Sequence, residues 1–175
     1  AVRVAKLNLL LSVAHVPQQL PRPNILELNS LVWDDDLPKA FIPERDFPLI
    51  HEQGGFDVVL SNPPWEKWKP DSQEFFEEIH HGFKALPTQE AKKIMTDLLK
   101  TRKIIKHRWE EKLGEYRMYS EIFRRDYRWQ SATGSASGDP DLYKLFTERF
   151  YQLLKPGGLA GIVVPSGIYT DLGAK

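Results

Sequence analysis

The sequence predicts an α/β protein built on a parallel sheet, and three observations carry that prediction. FDVVLS at 56–61 is a continuous apolar and β-branched run, the pattern of a strand buried on both faces of a parallel sheet. LAGIVVP at 159–165 is a second run of the same kind. Between them lies a long stretch with helical periodicity, the crossover that parallel strands require.

Taken in order, Val2, Ala5, Leu9, Leu10 and Val13 space an amphipathic helix over residues 2–14. Pro17, Pro21 and Pro23 end it and stiffen the connector. NILELN at 24–29 is short and partly alternating, which predicts a strand. Residues 33–55 read as loop: an Asp34-Asp35-Asp36 triplet suited to a solvated turn or cap, three prolines, then Gly54-Gly55. Residues 72–85 and 89–130 read as mostly helical. The segment 131–140 is a Gly/Ser loop. In DLYKLFTERFYQLL at 141–154, Leu142, Leu145, Phe146, Phe150, Leu153 and Leu154 form an apolar stripe, with Asp139 as the expected cap and Lys155-Pro156-Gly157-Gly158 as the stop.

Composition narrows the function classes. The chain has 175 residues, with 24 Lys+Arg against 24 Asp+Glu, and 41% hydrophobic residues. That is ordinary for a globular protein of one domain. The absence of Cys rules out a disulfide scaffold and thiolate metal sites, and fits a reducing, cytoplasmic setting. No apolar run reaches the ~18–20 residues of a membrane span, so no membrane partner is expected. The start without Met, inside a helix, gives the look of a piece of something longer, as does a tail at 170–175 that resembles the start of another helix.

In open α/β sheets ligands bind beyond the carboxyl ends of the strands. Asn29-Ser30, Asn62-Pro63-Pro64-Trp65 and Pro165-Ser166 fall there. The second is the informative one. Two consecutive prolines fix the backbone and remove local donors. The Asn62 side chain and a rigid carbonyl then offer two acceptors at a set spacing, which suits a planar –NH2 group. Accepting both of its hydrogens draws the nitrogen lone pair out of conjugation and makes the amine more nucleophilic. Trp65 adds an aromatic face on which a base can stack, worth ~1–3 kcal/mol. The alternative is a strand-ending turn with Trp65 in the core.

FDVVLSNPPWEKWK, together with the upstream AKLNLLLS and NILELNSL and the downstream GDPDLYKLFTERFYQLLKPGGLAGIVVPSG, resembles the class I S-adenosyl-L-methionine-dependent amino-methyltransferases. It is most similar to the large bacterial N6-adenine DNA methyltransferases of restriction–modification (type IIG) and phage-defence systems. The likeness covers the two ends and the centre, about half the chain. It implies a partial Rossmann-like class I methyltransferase sheet with a helical insertion: residues 1–65 and 131–175 as core, 66–130 as insertion. It implies that Asn62 and Pro63 accept hydrogen bonds from a target adenine, that Pro64 holds the loop, and that Trp65 stacks on a base flipped from double-stranded DNA. Asn29, Ser30 and Asn62 would face the cofactor, S-adenosyl-L-methionine. Related motifs also serve enzymes that methylate RNA or protein glutamine, and a non-catalytic DNA-binding or assembly remnant is a further alternative.

The sequence also departs from that pattern. The Gly-rich cofactor loop of such enzymes has no counterpart, because no glycine precedes Gly54. The expectation is a second part of a catalytic domain that binds S-adenosyl-L-methionine weakly by itself. An upstream cofactor-binding segment and a target-recognition domain would lie outside this chain.

Residues 89–130 hold twelve Lys/Arg against seven Asp/Glu, a local net charge of +5. Interleaved with Trp109, Tyr116, Tyr119, Phe123, Tyr127 and Trp129, they suit either a phosphate-tracking surface or a solvated hairpin whose aromatics pack inward. His80, His81 and His107 have no completing carboxylate, so no metal site is expected. Ser166 lacks the glycines of a nucleophile elbow, and no nuclease pattern is complete.

Overall fold

The computed structural model describes residues 25–131 and 139–170. The helix expected at 2–14, the proline connector, the tail at 171–175 and most of the Gly/Ser loop lie outside these residues. The chain divides into two compact units, Ala1–Gly54 and Gly55–Lys175.

In the first unit Asn29 forms an isolated parallel bridge with Ala40, and Leu31, Val32, Ala40 and Phe41 are buried around it. The strand expected from NILELN does not form: residues 25–28 have no regular structure. A single backbone bond, Asn29 N to Lys39 O at 2.6 Å, holds its end, and Glu27 faces outward to pair with Lys39. Residues 33–55, expected as loop, contain two short helices, α1 (Pro43–Asp46) and α2 (Pro48–Glu52). Two of the three prolines that suggested loop, Pro43 and Pro48, sit in the first helical turn, where a missing N–H is harmless and the fixed φ favours the helix. The Asp46 carboxylate accepts from Ile42 N at 2.9 Å, which closes α1. The acidic triplet makes a turn: Asp34 Oδ1 accepts from Asp36 N, and Asp35 pairs with Arg45 at 2.5 Å.

The second unit carries the sheet. Strand β1 (Phe56–Ser61) pairs in parallel with β2 (Leu154–Ile162). The parallel α/β arrangement is therefore as expected. The burial is not: Val58 is 51% and Leu60 77% exposed. These two side chains share one face of the pleat. The sheet has two strands among the described residues.

Between the strands come α3 (Ser72–Glu77), a short 3₁₀ turn at Phe83–Ala85, α4 (Thr88–Thr101), α5 (Lys103–Asp126), α6 (Arg128–Ser131) and α7 (Leu142–Leu153). Asp71 caps α3 by accepting from Glu74 N at 2.8 Å. Phe75, Phe76, Phe83 and Ile105 form a buried cluster, with Ile94, Met95, Leu98 and Trp109 packed against it. This cluster joins α3, α4 and the first half of α5.

Helix α7 packs against both strands and against α6. Its buried set is wider than the apolar stripe: Leu145 and Phe150 are joined by Tyr143, Lys144, Glu148 and Arg149. Contacts on two sides account for this. Lys144 pairs with Asp141 at 3.1 Å, and Glu148 accepts from Trp129 N at 3.3 Å. Asp139 is not the cap. Asp141 holds the N-cap position without a side-chain cap bond, while Asp139 is engaged by Tyr116.

Nor does the glycine pair stop α7. The helix runs directly into β2 at Leu154, and Gly157, at φ +81°, lies in a bulge where the register slips between Phe56↔Leu154 and Val58↔Leu159. Gly55, at φ +125°, allows the start of β1 to approach this junction, since a Cβ there would lie 2.6 Å from Leu153 O.

Two outcomes follow for stability. Gly55→Ala is expected to cost roughly 1–3 kcal/mol in urea unfolding, from strain at positive φ and the clash. Tyr127 is fully buried, and burial pushes its hydroxyl well above the usual 10.0. A raised folded-state pKa gives stability that is present below pH 10.0 and lost as pH rises above it. Melting temperature measured against pH should fall above about 10 in the native chain, with a shallower fall in Tyr127→Phe.

Candidate active site

Strand β1 ends at Ser61, and the chain enters Asn62-Pro63-Pro64-Trp65 without regular structure. Proline supplies no N–H, so the ladder cannot continue through 63 and 64. Pro63 is buried and Asn62 exposed. Among the described residues, the Asn62 carboxamide makes no hydrogen bond. The loop therefore presents an open carboxamide beside a rigid, partly buried backbone.

Trp65 is not in the core. It is 54% exposed, and its indole Nε1 donates to Val163 O at 3.3 Å. Val163 N in turn donates to Ser61 O at 3.0 Å. Val163, the residue just beyond β2, thus holds both sides of the loop, the last residue of β1 and the aromatic ring beyond the prolines. Much of the ring remains open to solvent.

The chain beyond the loop is held by a second set of bonds. Lys67 and Asp141 form an antiparallel bridge, Trp68 N donates to Pro140 O at 2.8 Å, and Leu142 N donates to Glu66 O at 3.0 Å. The Trp68 ring stacks on Tyr116 at 6.0 Å and meets Tyr119 and Phe123 edge-on. Its Nε1 reaches Tyr116 O at 3.4 Å, and the Tyr116 hydroxyl donates to Asp139 at 2.5 Å. Burial, then the bond to Asp139, raises the Tyr116 hydroxyl above its ordinary value. These contacts tie α5 to the segments on either side of the site.

Trp68, Tyr116 and Asp139 were not among the expected site residues. The aromatic spacing in WEKW and the GDP preceding α7 were the available signals. They carry no chemistry of their own and gain meaning only through the pairing of 66–68 with 140–142.

Asp57, within β1, pairs with Lys155, whose ammonium holds its carboxyl below the usual range. This pair lies beside the β2 bulge, at the opposite end of the strand from Asn62. In the first unit, Asn29 Oδ1 accepts from Leu31 N at 3.2 Å, which fixes the carboxamide in a local turn. Its nitrogen has no hydrogen-bond partner among the described residues. Ser30 follows in the same turn. The structure thus groups Asn62, Pro63, Pro64 and Trp65 in the second unit and Asn29 with Ser30 in the first.

The aromatics of residues 89–130 resolve mostly inward. Tyr119, Phe123 and Tyr127 are buried and Trp109 packs on the phenylalanine cluster, whereas Trp129 is 48% exposed. A cleft lined by Phe75, Glu78, Arg108 and Lys112 lies between α3 and α5, not at the loop. No group of three or more His, Cys, Asp or Glu could hold a metal ion among the described residues, and no helix there is long and apolar enough to cross a membrane.

A family model described as Eco57I restriction-modification methylase matches residues 1–96, more than half of the chain. The matched span contains Asn29, Ser30 and the whole 62–65 loop. Searches of curated proteins and of solved structures return no match.

Two substitutions separate the tryptophans. Trp68→Ala is expected to cost about 2–4 kcal/mol in denaturant unfolding, because the ring is packed by three aromatics. Trp65→Phe is expected to cost about 1 kcal/mol or less, since it loses one hydrogen bond and keeps an exposed ring. Equal losses would contradict the separate roles assigned to them.

Proposed function

The chain belongs to the Eco57I restriction-modification methylase family, and from that premise we propose that it forms part of the catalytic domain of an S-adenosyl-L-methionine-dependent DNA adenine N6-methyltransferase. The observation that carries this reading is the open Asn62 carboxamide at the carboxyl end of a parallel strand, beside Pro63 and an anchored, solvent-facing Trp65. In this reading the sheet is part of a Rossmann-like methyltransferase core, and residues 66–130 are an insertion into it. The biological setting is restriction–modification or phage defence.

The residues fit the acceptor half of the reaction. Asn62 Oδ1 and Pro63 O each accept one hydrogen from the adenine N6 amine. The amine nitrogen then keeps its lone pair for attack. Trp65 supports the face of a base that has left the duplex, which it must do to reach a site at a strand end. S-adenosyl-L-methionine, when bound, supplies the electrophilic methyl group. Formation of the new N–C bond would be matched by loss of the donor's S–CH3 bond, its electron pair passing to sulfur to leave a neutral thioether, and the surplus proton on nitrogen would leave to solvent, to which Asn62 is open. Catalysis by this chain is positioning and polarisation, with no covalent enzyme intermediate.

For the donor half the fit is partial. The Asn29 carboxamide is fixed and has an unused nitrogen, and Ser30 adjoins it. No glycine precedes Gly54, so a Gly-rich phosphate-type turn is not among residues 1–53. The 175-residue chain alone is therefore expected to show no saturable S-adenosyl-L-methionine binding below ~1 mM by calorimetry.

Methyl transfer is tested on the longest open reading frame that contains this chain, with labelled S-adenosyl-L-methionine and unmethylated DNA, RNA and protein extract in parallel. The expected product is N6-methyladenine in DNA. Asn62→Ala should lower the rate on the order of 10²–10³-fold without unfolding the protein. Label in RNA or in glutamine would move the substrate to another amine. Cofactor binding with no transfer to any polymer would favour a non-catalytic role.

A further inference from the structure

The insertion carries a concentrated positive patch that the site chemistry does not use. From Leu98 to Trp109 the sequence LLKTRKIIKHRW holds five Lys/Arg and one His and no acid. These residues form the turn between α4 and α5. Lys100, Arg102 and Lys103 are exposed. They enter no ion pair or side-chain hydrogen bond among the described residues. The neighbouring bases behave differently: Lys106 pairs with Glu110, His107 with Glu111 and Arg108 with Glu78. Within residues 98–109 the unpaired charge is thus confined to Lys100, Arg102 and Lys103.

That charge sits where the fold itself disfavours it. Arg102 is the N-cap of α5 and Lys103 its first residue, with no acid in the first turn and no side-chain cap. Cations at a helix N-terminus oppose the helix dipole, and the first N–H groups are left without acceptors. An anion at the tip would satisfy both. Ile104, 78% exposed between these bases, offers an apolar contact instead of a shielding acid.

The tip is also held rigidly. Ile105 and Trp109 pack into the phenylalanine cluster, and further along α5 Tyr116, Tyr119 and Phe123 grip Trp68, three residues beyond Trp65. A helix rises 1.5 Å per residue, so Lys103 lies about 24 Å along the axis from Tyr119. On duplex DNA that distance is about seven base pairs.

We propose that the Lys100–Ile104 tip is a second DNA contact, which grips the sugar–phosphate backbone of the duplex within about one turn of the target base. This rests on the reading that the polymer is DNA. The tip carries no base-reading geometry, so its contact is to phosphates and is independent of sequence. It positions the duplex while the 62–65 loop handles the base.

The test is fluorescence anisotropy of the whole chain with a labelled 30-base-pair duplex across a salt series. Lys100, Arg102 and Lys103 are changed together to Gln, and circular dichroism confirms the fold. A control triple changes Lys84, Lys92 and Lys93 to Gln. The tip variant is expected to bind at least ten-fold more weakly at low salt. Its slope of log affinity against log salt should be smaller by about 2–3, as for three lost phosphate contacts. The control should keep the native slope. An unchanged slope in the tip variant, an equal loss in the control, tighter binding to RNA of the same length, or no DNA binding by the native chain would each overturn the proposal. Tip-dependent DNA binding without formation of N6-methyladenine would support the contact and count against the methyltransferase reading alone.

Discussion

The candidate site depends on one residue, the first beyond β2. Val163 donates its N–H to Ser61 and accepts the indole N–H of Trp65. Through these two bonds, the segment that leaves the neighbouring strand fixes the beginning and end of a loop that has almost no backbone donors of its own. Two prolines make the loop stiff, but stiffness alone does not place it. The parallel pairing of β1 with β2 does, and that pairing needs the close approach at Gly55 and the bulge around Gly157. The placement of Asn62 is therefore set by strand register, not by the tetrapeptide in isolation.

A second constraint works from outside the sheet. The bridge between Lys67 and Asp141 brings the exit of the loop against the start of α7. Trp68 then connects this clamp to α5. The helical stretch between the strands is thus not an appendage on a flexible stalk. It is packed onto the loop's own continuation. A helix anchored in this way can hold a distant surface at a fixed distance from Asn62, which is the physical basis of the second contact proposed above.

Much of this was legible in the sequence. The FDVVLS strand and its parallel partner follow from continuous apolar and β-branched runs, and α7 follows from its apolar stripe. The misreadings share a cause: local signals that tertiary pairing overrode. NILELN has strand-like alternation but gains only one backbone bond. KPGG reads as a helix stop, yet α7 ends without it and the glycines serve the bulge instead. Asp139 looks like a cap, but Tyr116 claims it from a distant helix. The aromatics of α5 fit both a stacking surface and a core, and only the position of Trp68 decides between them. Strand burial was overestimated because composition tells what a strand tolerates, not what covers it.

The most direct test of the account asks whether the loop recognises an amine through its hydrogens. Nuclear magnetic resonance of the ¹⁵N-labelled chain can follow the Asn62 side-chain amide and the Trp65 indole during titration with adenosine, and separately with N6,N6-dimethyladenosine, which has no amine hydrogen to donate. The account predicts that adenosine moves both signals and that the dimethylated nucleoside moves Trp65 alone, by stacking without the bonds to Asn62. Equal shifts of Asn62 with both nucleosides, or no shift with adenosine, would contradict the assignment of this loop as an amine-binding site.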